Sequence, residues 1–166
     1  MKSEREIFME EFYVKKIGVI LADGAGMRVE LEQPYAAALT GIEGFGHLNI
    51  LWWFSGCDNE GSRGRLTERS PYKNAPEILG TFATRSPERP NPIALSCAQV
   101  TYVDEANGVV GLAYIDAFDG SPVLDIKPYT PSLDRVETPT VPAWCANWPD
   151  CYEKSGDFDW GSVFNF

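Results

Sequence analysis

Phe45-Gly46-His47-Leu48-Asn49-Ile50-Leu51-Trp52-Trp53-Phe54, residues 45–54, is the stretch on which the fold turns. Leu48, Ile50, Leu51, Trp52, Trp53 and Phe54 leave almost no polar interruption. A run this short and this apolar reads as a β-strand buried on both faces.

Working outward, the neighbouring segments also read as strands. Phe12 to Leu21 carries Tyr13, Val14, Ile17, Val19 and Ile20. Asp23-Gly24-Ala25-Gly26 is a turn signal, and Met27 to Leu31 alternates, so the pair predicts a hairpin. Residues 1–12 read as a short lead. Pro34 to Leu39 predicts a short helix, with Pro34 in its first turn and Gly41 as its stop. Downstream, residues 55–76 form a long polar loop, of the kind that is functional or disordered in a compact domain. Ile78 to Ala83, Ile93 to Val103, Val109 to Ile115 and Val123 to Ile126 read as further strands. Many strands with little amphipathic helix predict a mainly β domain, a small barrel with short peripheral helices. From Pro139 the chain holds Trp144, Trp148, Tyr152, Phe158, Trp160, Phe164 and Phe166. That density predicts an extended aromatic tail wrapping the barrel or a partner subunit.

The chain of 166 residues is long enough for one domain with a real core. Its 44% hydrophobic and 13% aromatic content argues against disorder. No segment reaches the roughly 18 uninterrupted apolar residues of a membrane span, and residues 1–6 lack a secretory pattern, so the cytoplasm is the expected location. Cys57, Cys97, Cys145 and Cys151 form no CxxC pair, and His47 is the only histidine. No metal site is therefore expected. Cys97 reads as a small core residue, and His47 as a structural histidine. The net charge of −10 opposes non-specific nucleic-acid binding. Residues 61–89 run against that balance: Arg63, Arg65, Arg69, Lys73, Arg85 and Arg89 face only Glu68, Glu77 and Glu88, a net of +3. This segment is either a local basic face for an anionic substrate or a solvated loop whose arginines pair with acids of the same chain.

Thr81-Phe82-Ala83-Thr84-Arg85-Ser86-Pro87-Glu88-Arg89-Pro90-Asn91-Pro92-Ile93 carries the most specific chemistry. Its prolines fix their own φ and push the preceding residues towards extended backbone. Arg85, Arg89 and Asn91 thus sit on a stiff loop that presents forked donors. A proline-rich structural turn is the competing reading. Gly41, Gly44 and Gly46 precede a strand rather than a helix, which does not suit a dinucleotide-binding loop.

Three segments, in order along residues 13–131, resemble the TsaA-like family, which includes the TrmO-type tRNA methyltransferases. Gly41-Ile42-Glu43-Gly44-Phe45-Gly46-His47-Leu48 is similar to the family's GLExFSHL pattern. The proline-stiffened loop is similar to FATRSxxRPNPIG. Asp119-Gly120-Ser121-Pro122-Val123-Leu124-Asp125-Ile126-Lys127-Pro128-Tyr129 is similar to DGTPVxDIKPY. The resemblance implies a small, usually dimeric β-barrel that uses S-adenosylmethionine. It also implies that residues 1–166 are a single such domain, with a core of about 13–131 and a tail of 132–166, in place of the small C-terminal domain of longer bacterial members.

Motif by motif, the resemblance assigns cofactor contacts to Phe54, Ser55, Arg85, Leu95, Asp119, Gly120, Ser121 and Pro122. Ser55 stands where histidine is common, Ser121 replaces a threonine, and Ala94 replaces a glycine, which would narrow close backbone approach. Asn91, Asp125, Lys127 and Tyr129 are the candidates beside the transferred methyl group. Asp125 would accept a proton, Lys127 would polarise a carbonyl or neutralise a carboxylate, and Asn91 would hold a base edge. For Asp125 and Lys127 a salt bridge closing the barrel loop is an equal reading. Arg63, Arg65, Arg69 and Arg89 are the candidate phosphate contacts. The function implied is N-methylation of threonylcarbamoyl-adenosine in tRNA by a homodimer. The alternatives are methylation of a small molecule and a non-catalytic S-adenosylmethionine-binding barrel.

Overall fold

The computed structural model describes residues 10–165. Most of the expected lead, residues 1–9, and the tail's Phe166 lie outside them. Eight strands form: β1 Gly18–Asp23, β2 Gly26–Leu31, β3 His47–Trp53, β4 Thr67–Arg69, β5 Ile78–Gly80, β6 Ile93–Asp104, β7 Val109–Leu112 and β8 Ser121–Pro128. Six of them close an antiparallel barrel in the order β1-β2-β7-β6-β3-β8, while β4 and β5 pair as a separate ribbon. The barrel fold expected from the strand pattern is the one observed.

The apolar run around β3 is explained by its position. Leu48, Ile50 and Trp52 point into the core and are buried, while Asn49, Leu51 and Trp53 on the outer face are half-buried. The strand thus has one interior face and one partly covered outer face, a correction to burial on both. A closed barrel has a single interior, so alternation must hold even where both faces are apolar. Facing β3 inside are Ile20, Val29, Val110, Val123, Ala94 and Ala98, all buried. Trp52 brings a polar atom into this interior. Its Nε1 donates to Ser96 Oγ at 2.9 Å, so the indole is satisfied.

Antiparallel pairing sets which loops meet. The ends of β1, β3 and β7 and the starts of β2, β6 and β8 share one mouth of the barrel, as the pairs Asp23↔Gly26, Ile20↔Ser121 and Trp53↔Ile93 show. Phe54, Ile115 and Ala117 pack against the core from the segments at this mouth. The opposite end is reached by the predicted short helix, which forms as a 3-10 helix over Gln33–Leu39 and buries Leu39.

Several boundaries differ from expectation. The first strand starts at Gly18 rather than Phe12, and Phe12, Tyr13 and Val14 are exposed. Gly18 pairs with Leu31, the last residue of β2, and Ile17 still donates to Val123 O and accepts from Glu32 N, but residues 12–14 lie beyond the end of β2. Residues 81–83 form a 3-10 turn after β5. The strand from Val109 stops at Leu112. The 55–76 segment contains a helical turn, Glu60–Arg63, capped by the Asn59 side chain, as well as β4. Cys97 is half-buried on the outer face and is not a core residue, and all four cysteines are free.

The aromatic tail lies on its own chain, as single helical turns at Ala143–Cys145, Tyr152–Ser155 and Trp160–Ser162 rather than as one extended run. Tyr72 anchors it, stacking on Trp144 at 5.4 Å and meeting Trp148 edge-on at 5.1 Å. Backbone bonds join Lys73 N to Val163 O and Asn165 N to Pro71 O. Among the described residues, no helix is long and apolar enough to cross a membrane.

Candidate functional site

Phe54 and Ser55 follow β3, Leu95 lies near the start of β6, and Asp119 to Pro122 lead into β8. All seven therefore belong to one mouth. Arg85 joins them through its Nη1, which donates to the Leu95 carbonyl at 3.1 Å. Phe54 meets Trp52 edge-on at 4.6 Å, which holds its ring at the core's rim. The stiff loop is braced internally. Thr84 Oγ1 donates to Thr81 O at 2.8 Å, and Arg89 donates to the Ser86 and Thr84 carbonyls at 2.6 and 2.8 Å.

The Asp119–Pro122 connector is tied to the hairpin. Asp119 Oδ1 accepts from Ala22 N at 2.9 Å, and Gly120 N donates to Ile20 O at 2.8 Å. Gly120 has φ +80°, which favours glycine there. Ala94, the departure from the glycine pattern, pairs with Trp52 and is buried. It also lines the trough that runs from this mouth, and its backbone has no positive φ.

A trough of about 1040 Å³ runs from this mouth along β3 and β6. Phe54, Arg85, Arg89, Leu95 and Asp116 line one end, and Asn49, Tyr129 and Asp134 the other, with Trp148, Tyr152 and Trp160 of the tail along one side. A second hollow of about 870 Å³ continues it to His47 and Glu153, sharing Cys97, Tyr129, Asp134, Cys151 and Tyr152. Asn49 Nδ2 donates to Asp134 Oδ1 at 2.8 Å and ties the tail's first turn to β3. Burial first, then the negative fields of Asp134 and Glu153, push the Cys97 thiol up from its ordinary value.

The remaining predicted residues are distributed differently. Asp125 and Lys127 lie on the outer face of β8, opposite Leu51 and Asn49. They form an ion pair at 2.7 Å, and Asp125 Oδ1 also accepts from Ile126 N at 2.9 Å. Neither lines the trough. Tyr129 does, at the end far from Arg85, while Asn91 is exposed beside the mouth, its carbonyl accepting from Ile93 N.

The basic segment divides in two. Arg63 pairs with Asp58 at 2.6 Å, Arg65 with Glu88 at 3.0 Å, and Arg69 with Glu77. The Arg63 guanidinium holds the Asp58 carboxyl below its ordinary value, with further help from Trp53 Nε1. Among the described residues, Arg85 and Arg89 have only carbonyl partners, and both line the trough. Sequence reasoning missed Asn49, Asp134, Trp148, Tyr152 and Trp160 as trough residues. Only the aromatic density of the tail signalled that it packs somewhere specific.

A sequence profile described as tRNA-methyltransferase O N-terminal domain matches residues 12–135. An S-adenosyl-L-methionine-binding protein of Archaeoglobus fulgidus is 39% identical over 108 residues, covering 65% of this chain and 72% of the relative. The tRNA (adenine(37)-N6)-methyltransferase of Escherichia coli is 36% identical over 147 residues, covering 77% and 62%. The crystal structure of TrmO from Pseudomonas aeruginosa superimposes with a TM-score of 0.63 at 30% identity, covering 83% of this chain and 63% of that one. The chain spans between 62% and 72% of the length of these relatives.

Proposed function

The chain belongs to the tRNA-methyltransferase O N-terminal domain family, and on that premise we propose that it is an S-adenosylmethionine-dependent methyltransferase acting on an adenine of tRNA. The observation that carries this reading is the pair Arg85 and Arg89. They are cations of the basic segment with no acidic partner among the described residues, and they line the trough together with Phe54 and Asp116. This donor set fits the cofactor. A guanidinium suits its carboxylate, an acid its ribose or amine, and an aromatic ring its adenine or sulfonium. Phe54, Arg85, Leu95 and Asp116, which line the trough, are the residues that would hold it, with Ser55 and Asp119 to Pro122 at the same mouth but outside the trough lining. When bound, it supplies an electrophilic methyl group on a sulfonium sulfur.

The chain's own residues then orient the acceptor at the mouth, beside which Asn91 stands exposed. Asp125 and Lys127 pair with each other on the outer face of β8 and do not line the trough, which supports the reading of this pair as a salt bridge and leaves the proton released by the acceptor nitrogen to solvent. The finer substrate is threonylcarbamoyl-adenosine. Such a base enters a pocket from a loop more readily than from a duplex. The reading includes a cytoplasmic homodimer. Phe82, Tyr114 and Phe118, all exposed around the mouth, supply an apolar rim for a second copy.

The protein is expected to bind S-adenosylmethionine, with Arg85→Ala weakening binding about tenfold or more by calorimetry. Unchanged affinity would remove Arg85 from the site. Labelled methyl transfer to tRNA from cells lacking the native activity tests the acceptor. One observation favours a second reading, a small-molecule acceptor. Arg63, Arg65 and Arg69 are neutralised within the chain, which weakens the case for them as phosphate contacts. Methyl transfer to a small-molecule extract but not to tRNA would select it.

A further inference from the structure

The end of the trough far from Arg85 is built from three rings on three segments. His47 opens β3, Tyr129 follows β8, and Tyr152 comes from the tail. The His47 ring centroid stands 5.5 Å from that of Tyr152 and 6.4 Å from that of Tyr129, both edge-on. Tyr152 remains 41% exposed beside them, so part of its surface is open to the trough. It also lies outside residues 12–135, the segment that the family profile matches.

The charges around these rings have one sign in excess. Asp134, Glu137, Asp150 and Glu153 line this hollow against Arg135 and Lys154, and Lys154 is already paired with Asp150 at 2.7 Å. A phosphate is repelled here, whereas a flat ring bearing amino donors is not. Carboxylates accept from the exocyclic amines and ring N–H groups of nucleobases, and the rings offer stacking surface. The trough thus has a cationic end at Arg85 and Arg89 and an aromatic, acidic end at Tyr152, joined by a continuous floor.

We propose that His47, Tyr129 and Tyr152 form a subsite that stacks an unpaired nucleobase of the RNA acceptor, a neighbour of the base being methylated. This rests on the tRNA reading given above. It assigns a specificity role to a tail residue: Tyr152 acts on a flanking nucleotide, while the mouth residues hold the cofactor. β3 separates the two ends by six residues, roughly 20 Å at about 3.3 Å per residue. That span suits an acceptor longer than one nucleotide.

The test compares wild type with Tyr152→Phe, which keeps the ring, and Tyr152→Leu, which keeps apolar bulk but not stacking. Each is titrated with a fluorescent anticodon stem-loop RNA and with a set of the same RNAs carrying one abasic loop position. Wild type should lose about tenfold in affinity at one flanking abasic position. Tyr152→Leu should lose about tenfold on the intact loop and nothing further at that position. Tyr152→Phe should behave as wild type. The salt dependence of binding should be the same in all three, because no phosphate contact changes. Calorimetric affinity for S-adenosylmethionine should also be unaltered in Tyr152→Leu. Equal binding of the intact loop by wild type and Tyr152→Leu overturns the subsite, as do losses that add at every abasic position. Wild type that binds S-adenosylmethionine but not the stem-loop overturns the RNA reading, and the subsite with it. Loss of cofactor affinity in Tyr152→Leu shows a purely structural residue and likewise overturns it.

Discussion

At Gly18 the barrel leaves no room for a side chain. A Cβ built there would stand 2.4 Å from the Glu30 carbonyl oxygen and 2.9 Å from Leu31 Cα, and backbone atoms of a paired strand cannot swing aside. Gly18→Ala is therefore expected to destabilise the fold by about 1–3 kcal/mol, read as a lowered midpoint in urea, because β1 and β2 would have to part. A midpoint equal to wild type would mean that the hairpin yields more easily than its pairing suggests. This glycine was not legible in the sequence, because it sits inside a β-prone run and its need arises from Glu30 and Leu31, on the strand it pairs with. Ala94 teaches the reverse. As a replacement for a glycine in a motif it reads as an obstruction, yet it is a buried cross-strand partner of Trp52 with ordinary backbone, and the little surface it keeps lines the trough. Asp119 is similar: its carboxylate is occupied by Ala22 N, so part of what reads as ligand chemistry also secures the connector to β1.

Among the elements, the barrel strands were the most legible, because each carries its own apolar pattern or turn signal. β3 was found from composition alone, but not its alternation, since Leu51 and Trp53 on the outer face are as apolar as the core residues. Of the β4–β5 ribbon, β5 was read as the start of the strand expected from Ile78 to Ala83, but β4 was not, because its three residues are defined by pairing across a loop rather than by periodicity. The tail was legible as ordered but not as to where it packs, because its partners are isolated residues: Tyr72 in the segment following β4, and His47 and Asn49 on β3. Tyr72 contacts Trp144, Trp148 and Phe164, and Trp148 and Trp160 carry the cluster on to the trough. Aromatic pairs of this kind contribute about 0.5–1.5 kcal/mol each beyond burial. Tyr72→Ala is expected to loosen the tail without opening the barrel. Limited proteolysis should cut within residues 139–165 many times faster, while the far-ultraviolet signature of the strands persists. Equal cleavage rates would show that the backbone bonds at Lys73 and Asn165 hold the tail by themselves.

For the molecule as a whole, charge placement decides what reaches the trough. A chain of net charge −10 repels a polyanion at long range, and the +3 segment at residues 61–89 is what could offset this locally. The fold spends much of that segment internally, with Asp58, Glu88 and Glu77 taking Arg63, Arg65 and Arg69. Exposed pairs of this kind exchange partners readily, because each is worth only about 0–1 kcal/mol. An approaching phosphate can therefore compete for these guanidinium groups, but only by leaving a carboxylate unpaired beside it. Replacing Glu77 and Glu88 by glutamine removes that penalty at Arg69, leaves only the longer Glu68 contact of 3.6 Å at Arg65, and keeps the arginines in place. If the basic segment meets RNA, the double variant should bind a tRNA stem-loop more tightly than wild type at moderate salt. Its log–log salt slope should also be steeper by roughly one to two, since each newly available phosphate contact adds about 0.7–0.9. If affinity and slope both stay at wild-type values, the segment is a neutralised structural face. Recognition would then rest on Arg85, Arg89 and the aromatic end of the trough, which is the arrangement a smaller acceptor needs.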